Sequence, residues 1–361
     1  MRLGLLAVSV LVFSQSSQSG VPHGPMQAHE FRATGPWFEG WYTRVTDPST
    51  GVSLAVITTS AIHENQNLAP GEAPPGYVAV ALQTPVTSKT ISFEAYPQAT
   101  KLGNLKDDFR WIAPDHGMAS KGWTDIEIKG QARVQVEILD RKPWANDGSE
   151  LGPEGLTGEL PMPLHWFVHN TAGRARYAID YEFEGSNHHV EGTGLVHQEK
   201  NWGATFPKSW IWLQGVSKDG AASIALAGGD IELGPLTAHA YMVGYRSGAL
   251  SIDFAPIDLL TSSFSDEIDA CRHQFELIAS NSIYELKIEA VAPKETFAEL
   301  SIPTAQGYTP GGAIESFATR VRATLYKKTG PFFYQTLEVV EVREFDNAAL
   351  EFGANAMLCN Q

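Results

Sequence analysis

The sequence predicts an all-β protein built from antiparallel sandwiches or barrels. Runs of alternating apolar and polar residues recur along the chain, whereas long helical periodicity is rare beyond the first 20 residues. The 33 glycines and 21 prolines interrupt these runs often, which is typical of short strands joined by turns. With 361 residues, the chain is long enough for two domains.

Eight runs show the alternation most clearly, and each predicts a strand: 53–59, 77–83, 126–139, 177–183, 211–216, 284–290, 319–325 and 336–342. The sequence Asp-Pro-Ser-Thr-Gly at 47–51 predicts a hairpin turn, because these residue types favour turn conformations. A short helix is predicted to begin near Asn104, since 106–111 is compatible with helical periodicity. Two Pro- and Gly-rich loops, 64–76 and 143–163, are predicted to form the rim of a pocket.

The N-terminus predicts a secretory signal peptide over residues 1–20, with cleavage near Ser19 or Gly20. Arg2 precedes an apolar run that is too short to span a bilayer comfortably, and the alternative is an N-terminal anchor. The expected location is therefore the secretory pathway or the extracellular space. An oxidising compartment permits a disulfide between Cys271 and Cys359, and the alternative is two buried free thiols.

The charge balance limits the partners of the protein. A formal net charge of −15 and a pI near 5.2 argue against binding to nucleic acid or to an anionic membrane surface. Beyond the leader, we expect no membrane span, and we expect a monomer. The sequence contains no G-x-S-x-G elbow, no dinucleotide-binding glycine motif and no CxxC pair, so these cofactor and nucleophile chemistries are not predicted.

Residues 197–214 are the strongest indication of a functional site. Alternation places Glu199 on the same face of a strand as His197 and Asn201, and Lys200 on the opposite face with Trp202. Further along, Trp210, Trp212 and Gln214 share one face. Charged groups among aromatic residues are costly to bury unless they are paired, so this pattern favours a binding site.

Five residues are candidates for catalysis: His165, His169, Glu199, Lys200 and Gln214. Lys200 is suited to stabilise a developing oxyanion, and Glu199 to deprotonate a phenol or orient a histidine. The histidines and Gln214 are suited to donate hydrogen bonds to a substrate oxygen. The alternatives are a buried ion pair between Lys200 and Glu39, and histidines that bond only to the backbone.

Aromatic residues predict a pocket for a conjugated polyene, because their flat faces stack on π-systems. Core packing is the alternative for each of them. His63 ends a strand opposite a Pro-rich loop and is predicted to gate the pocket. The predicted substrate-binding residues are Trp41, Tyr42, His63, Trp166, His197, Asn201, Trp202, Trp210 and Trp212. No recognisable ligand spacing is present, so no metal is expected.

Four short motifs together resemble the tocopherol cyclase-like family. They occur in the family's order and are Trp37–Tyr42, Pro163–Trp166, the Glu-Lys-Asn-Trp-Gly run at 199–203 that leads to the Trp-rich strand, and Ala348–Gly353. The resemblance implies two lipocalin-like antiparallel β-barrel or sandwich domains, which we expect at 21–204 and 205–361. It also implies ring-forming chemistry on apolar polyenes, since the family is related to fungal Diels–Alderases and carotenoid hydratases.

The resemblance implies a cyclase that forms a dihydropyran or chroman ring without a cofactor. The favoured reaction is a hetero-Diels–Alder addition of an ortho-quinone methide to a terpene alkene in secondary metabolism. The first alternative is closure of a prenylquinol to a chromanol, as tocopherol cyclases do, and the second is a lipocalin-like carrier without catalytic activity. The leader differs from a plastid transit peptide and therefore favours the first reaction. The expected partner is a small apolar terpenoid or quinone-type substrate.

Overall fold

The computed structural model describes residues 27–29, 33–105, 108–145, 152–155, 158, 162–233, 236–256, 262–331 and 334–359. Two large antiparallel sheets make up nearly all of it, so the all-β prediction is confirmed. Each sheet packs on its own hydrophobic core, one of them is curled into a half-barrel, and the two form two lipocalin-like β-domains. The predicted signal peptide lies outside the described residues. No helix among those described is long and apolar enough to cross a membrane.

The first sheet has 11 strands in the order β4-β3-β2-β1-β11-β10-β9-β8-β7-β6-β5. Their bounds are β1 Trp37–Asp47, β2 Val52–Ile62, β3 Gly76–Gln83, β4 Ile91–Ala95, β5 Lys101–Leu105, β6 Asp108–Ala113, β7 Gly117–Ser120, β8 Trp123–Ile128, β9 Ala132–Ile138, β10 Leu164–Phe183 and β11 Ser186–Gly203.

The second sheet has 10 strands, nine of them in the order β15-β14-β13-β12-β21-β20-β18-β17-β16, and β19 pairs with β20. Their bounds are β12 Ser209–Val216, β13 Ala222–Leu233, β14 Leu236–Ser247, β15 Leu250–Phe254, β16 Ser263–Asp269, β17 Gln274–Ser280, β18 Tyr284–Val291, β19 Ala298–Thr304, β20 Gly307–Thr329 and β21 Thr336–Ala354. Short 3₁₀ turns cover Lys294–Thr296 and Asn355–Met357.

The prediction of a helix near Asn104 is wrong. Strands β5 and β6 form a hairpin there, with Asn104 opposite Phe109. Phe109, Trp111 and Ala113 alternate inward and are fully buried in the first core, whereas Arg110 is exposed. Burial of one face with a period of two favours a strand, and this tertiary packing outweighs the local helical compatibility.

Two other predictions concern turns. The turn at 47–51 is confirmed, because β1 ends at Asp47 and β2 begins at Val52. The single strand predicted over 126–139 is wrong, since β8 and β9 are separate strands with a turn between them. Gly130 has a φ of 74°, a left-handed conformation that favours glycine and ends the pairing at this point.

In each sheet, the strand nearest the N-terminus pairs with the strand nearest the C-terminus. Strand β1 pairs with β11, and β12 pairs with β21. The motifs that are far apart in sequence therefore become neighbours: Tyr42 lies opposite Glu199, and Trp212 lies opposite Glu351. These central strand pairs face each other where the two sheets pack together.

Alternation along β12 divides its side chains between two environments. Ile211 and Leu213 are fully buried in the core of the second sheet. Trp210 and Trp212 point the other way, into a third apolar cluster that contains residues from both sheets. The face that the sequence predicts for the two tryptophans is confirmed, and it is the face that contacts the first sheet.

The C-terminal segment is joined covalently to the second sheet. Cys271 and Cys359 form a disulfide, with their Cα atoms 5.0 Å apart. Of the two states that the sequence left open, the structure shows the disulfide. It links the segment after β21 to the turn between β16 and β17.

Candidate functional site

A cavity of about 370 Å³ lies between the two sheets. Strands β1, β2, β3, β10 and β11 contribute one wall, and β12, β13, β14, β19, β20 and β21 contribute the other. Residues 153, 154 and 162, from the segment predicted as a loop at 143–163, also border the cavity. No residue of the other predicted rim, 64–76, is among the described residues that border it. Most lining side chains are apolar, and the volume suits a small organic molecule.

Two carboxyls, the fully buried Glu315 and the partly buried Glu351, occupy neighbouring strands of the second sheet. Glu351 borders the cavity and lies directly opposite Glu315 in the β20–β21 ladder, where Cβ atoms are about 4.5–5.5 Å apart. Trp210 Nε1 donates a hydrogen bond to Glu351 Oε1 at 2.6 Å. Tyr42, from the first sheet, donates its hydroxyl proton to Glu315 Oε1 at 2.7 Å. The carboxyl pair therefore lies at the contact between the sheets.

Burial controls the protonation of this pair, because a low-dielectric site penalises the charged form. Desolvation, assisted by the charge of Glu199, raises the pKa of Glu351 to about 7. Desolvation and the charge of Glu351 raise the pKa of Glu315 to about 8. At least one of these carboxyls is therefore protonated at neutral pH, and the pair provides an acid inside an apolar cavity.

A third carboxyl, Glu199, reaches the cavity from the first sheet. Its Oε2 atom accepts a hydrogen bond from Trp212 Nε1 at 3.0 Å and lies 2.9 Å from His197 Nε2. Trp212 also packs edge-on against Tyr42, with ring centroids 5.0 Å apart. Trp212, on the second sheet, thus contacts both Glu199 and Tyr42 of the first sheet.

Two cavity-lining donors, the indole N–H groups of Trp41 and Trp166, lack an acceptor among the described residues. Trp166 is 3% exposed, and its indole Nε1 has no hydrogen-bond acceptor among the residues the structure describes. The backbone N–H of Trp166 donates to Glu154 Oε1 at 2.7 Å. Its ring lies edge-on to Trp144, with centroids 5.8 Å apart.

Seven predicted site residues border the cavity. One, Glu199, is a predicted catalytic residue, and the other six are predicted to bind substrate: Trp41, Tyr42, Trp166, Asn201, Trp210 and Trp212. The alternation that the sequence shows accounts for part of this grouping, since Glu199 and Asn201 share one face of β11 and the two tryptophans share one face of β12.

Lys200 does not border the cavity. It lies on the other face of β11, where its Nζ is 2.5 Å from Glu39 Oε1 and 4.7 Å from the centre of the Trp202 ring. His165 lies beside it, stacked on Trp202 at 4.7 Å and 2.7 Å from Glu154 Oε2. The ion pair that the sequence offered as an alternative is therefore present, and Lys200, His165 and Trp202 are placed away from the cavity.

Four more predicted site residues are not among those that border the cavity. Gln214 accepts a hydrogen bond from Arg44 Nη1 at 2.5 Å. His197 contacts Glu199, and His63 packs edge-on against Tyr308 at 6.2 Å. His169 is buried, neither ring nitrogen has a partner among the described residues, and desolvation lowers its pKa well below the usual value. Roles for these residues in catalysis or binding stay predictions.

Sequence reasoning missed Glu315 and Glu351 as site residues. Each is a lone acid within an apolar strand, in Ala-Ile-Glu-Ser-Phe and in Ala-Leu-Glu-Phe respectively. An acid at a core-facing position is costly to bury, so this was a usable signal. Among the described residues, no group of His, Cys, Asp and Glu is arranged to hold a metal ion.

Comparison with known proteins agrees with this architecture. The tocopherol cyclase-like family matches residues 116–354, which is more than half of the chain. No curated protein matches. The crystal structure of CghA is similar at 10% identity, covering 88% of this chain and 87% of that chain, with a TM-score of 0.54. CghA with Sch210972 is similar at 9% identity, covering 88% of each chain, with a TM-score of 0.53.

Kievitone hydratase from Nectria haematococca is 9% identical and covers 89% of each chain, with a TM-score of 0.46. At these identities, the structural similarities show the fold alone. The fold and the cavity define a two-domain lipocalin-like protein with an internal cavity of a size that suits a small molecule. Because the family match covers more than half of the chain, the chain belongs to the tocopherol cyclase-like family. Membership supports an enzyme of the cyclase type.

Proposed function

We propose that this protein is a cofactor-independent cyclase that closes an oxygen heterocycle on an apolar substrate by acid catalysis. The observation that carries the proposal is Glu351, a carboxyl that borders the cavity and whose pKa is raised by burial to about 7. A carboxyl with a pKa near the working pH keeps a large protonated fraction there, which suits a general acid.

The reaction begins with transfer of the Glu351 proton to a carbon of the substrate's alkene. The alkene π-electrons form the new C–H bond and leave a carbocation on the neighbouring carbon. A hydroxyl oxygen of the same substrate then forms the C–O bond, and its proton passes to Glu199 on the facing wall. A proton returning to Glu351 completes the cycle, so the net reaction is an isomerisation that consumes no oxidant or reductant.

The aromatic walls support this chemistry in two ways. The faces of Trp210 and Trp212 attract a developing carbocation through their π-electron density, an interaction that strengthens in a desolvated site. A shaped apolar cavity also holds a flexible chain in its reactive conformation, which removes part of the entropic barrier.

A hetero-Diels–Alder addition is the second candidate, and the aromatic lining favours it. Trp166, Trp210 and Trp212 supply flat surfaces for a folded diene and alkene. That reaction needs no proton transfer and would leave Glu351 without a direct role. Because Glu351 has a direct role only in ring closure by protonation, we rank that reaction above the addition.

The substrate class in this proposal is a small terpenoid or quinone-type molecule that carries an alkene and a hydroxyl. The proposal also includes a monomeric protein delivered to the secretory pathway by residues 1–20. A cavity of this apolar character suits a prenylated aromatic compound better than a charged metabolite.

The proposal is tested with Glu351→Gln, which keeps the size of the side chain and removes the acid. We expect turnover of a prenylhydroquinone to fall by about 10²–10⁴-fold, the usual contribution of a general acid, while binding is retained. Glu338→Gln, at an exposed position of the same strand, is the matched control and should leave turnover unchanged. Chromanol formation is measured by chromatography under saturating substrate.

Three other results would contradict the proposed function. Unchanged turnover in Glu351→Gln would remove the proposed acid. Acceleration of quinone methide addition to a terpene that is insensitive to Glu351→Gln would favour the second candidate. A protein that binds both kinds of substrate but changes neither rate nor product ratio is a carrier.

A further inference from the structure

We propose that a basic groove on the second domain binds a small anion that carries phosphate groups. The groove has a volume of about 750 Å³. Among the described residues, four cations border it, Lys218, Arg272, Lys294 and Arg320, together with a single acid, Asp346. The basic groove shares no bordering residue with the cavity between the sheets, so this inference goes beyond the proposed function.

The fold brings the four cations together from distant parts of the chain. Lys218 lies in the turn between β12 and β13, and Arg272 lies in the turn between β16 and β17. Lys294 begins the 3₁₀ turn that follows β18. Arg320, on β20, is opposite Val291 at the end of β18, so strand pairing places it beside the segment that carries Lys294. Like charges that share a groove repel one another, and an anion between them removes that repulsion.

The acids nearby balance only part of this charge. Lys218 Nζ lies 3.2 Å from Asp346 Oδ2, and Arg272 pairs with the aspartate three residues before it at 3.4 Å. Lys294 and Arg320 are exposed, and neither forms an ion pair with any part of the chain that the structure describes. The donors of these two side chains are therefore available to a ligand.

The donor types favour phosphate over a carboxylate. A guanidinium group binds two phosphate oxygens through parallel hydrogen bonds, and a lysine ammonium adds a compact positive charge. A phosphate group also carries more negative charge than a carboxylate and offers three acceptor oxygens, which can be shared among several cations.

The charge of the whole molecule limits the size of the ligand. The formal net charge is −15, so nucleic acid or an anionic membrane would be repelled by the surface around the basic groove. A small free anion contacts the basic residues alone and avoids this repulsion. The groove is therefore suited to a free phosphate compound.

The test is isothermal titration calorimetry with pyrophosphate, inorganic phosphate and acetate at one fixed ionic strength. We expect pyrophosphate to bind more tightly than phosphate because it carries more charge, and acetate to give no measurable binding. The double variant Lys294→Gln/Arg320→Gln should weaken pyrophosphate binding by about ten- to a hundredfold. This estimate assigns about three- to tenfold to each charge-assisted contact at a site open to solvent.

The matched control is Lys101→Gln/Arg322→Gln, which removes the same charge from exposed positions outside the basic groove. It should keep pyrophosphate affinity within about twofold, since distant exposed charges are largely screened by salt. Melting temperatures without ligand check that both double variants fold. In the wild type, the backbone amide resonances that shift with pyrophosphate should belong to 291–294 and 346–347, a measurement that needs no variant.

Four results would overturn the inference. They are no binding of either phosphate compound, a response to acetate equal to that to pyrophosphate, equal affinity in the two double variants, and shifted amides that lie away from the basic groove. Vesicles of phosphatidylglycerol provide the remaining comparison. Binding to these vesicles without binding to free phosphate would contradict a small free anion as the ligand.

Discussion

At the residue scale, the chemistry that we propose depends on single acids within apolar strands. The fully buried Glu315 lies opposite the partly buried Glu351, and both have a pKa well above the usual value of a carboxyl. Two like charges at this spacing in a low-dielectric site are unfavourable together, so the pair holds at least one proton over a wide pH range. This shared proton makes an acid available without a metal or a histidine.

The raised pKa values predict how stability and turnover respond to pH. Because the folded protein binds these protons more tightly than the unfolded chain, the contribution of the pair is full below the unfolded value of about 4.5 and declines as pH rises through about 7 and about 8. Turnover should decline over the upper part of the same window, as Glu351 loses its proton.

Thermal unfolding and turnover measured from pH 4 to pH 9 check this expectation. In Glu351→Gln, the melting temperature should depend less on pH, because one of the two linked protons is gone. If the wild type and Glu351→Gln show parallel stability profiles, then Glu351 does not titrate in this window.

At the scale of the elements, the β1–β11 pair carries different chemistry on its two faces. Tyr42 and Glu199 face the second sheet, whereas Glu39 and Lys200 lie on the other face. Glu39 also accepts hydrogen bonds from the His29 backbone, and Lys200 donates to the Gln27 carbonyl. The N-terminal segment at 27–29 is thereby attached to the first sheet, which is a structural task.

This arrangement predicts that Lys200→Met destabilises the fold by about 3–5 kcal/mol, because it leaves Glu39 charged and buried without its partner. The double variant Glu39→Leu/Lys200→Met should recover much of that loss, since removing both charges also removes their desolvation penalty. Urea unfolding measures both changes. A stable Lys200→Met protein that loses only turnover would instead support the catalytic role that the sequence suggested for Lys200.

At the scale of the whole molecule, the contact between the sheets makes the site. The third apolar cluster draws Trp166 from the first sheet together with Trp210 and Trp212 from the second. Arg44 connects the sheets through polar groups: it donates to Gln214 on β12 at 2.5 Å and to the Asn347 carbonyl on β21. Because both sheets contribute walls to the cavity, its shape depends on the contact between them.

We therefore expect Arg44→Met to lower the free energy of unfolding by about 3 kcal/mol, since it removes charge-assisted hydrogen bonds and leaves buried acceptors unpaired. It should also weaken ligand binding, because the cavity walls come from both sheets. Arg174→Met is the control: Arg174 is exposed and pairs with Asp140 at the surface, where such a pair contributes about 0–1 kcal/mol. Similar effects of the two substitutions would show that Arg44 does not link the sheets.

The sequence by itself determined the fold class and the faces of its strands. Alternation placed Trp210 and Trp212 together and separated Glu199 from Lys200, because side chains on a strand alternate with a period of two whatever lies beyond it. The motifs also identified the family, which the match over 116–354 confirms. The predicted division between 204 and 205 falls in the segment between β11 and β12.

Only the tertiary structure decided which face of each strand meets a cavity and which meets a core. Lys200 is polar and close to the motif, yet its face belongs to the interior of the first domain, where Glu39 neutralises it. Gln214 shares a face with the tryptophans, yet Arg44 occupies it. Glu315 and Glu351 are brought together with Tyr42 by the β20–β21 register and the packing of two sheets. Periodicity describes one strand at a time, and long-range pairing decides what each face contacts.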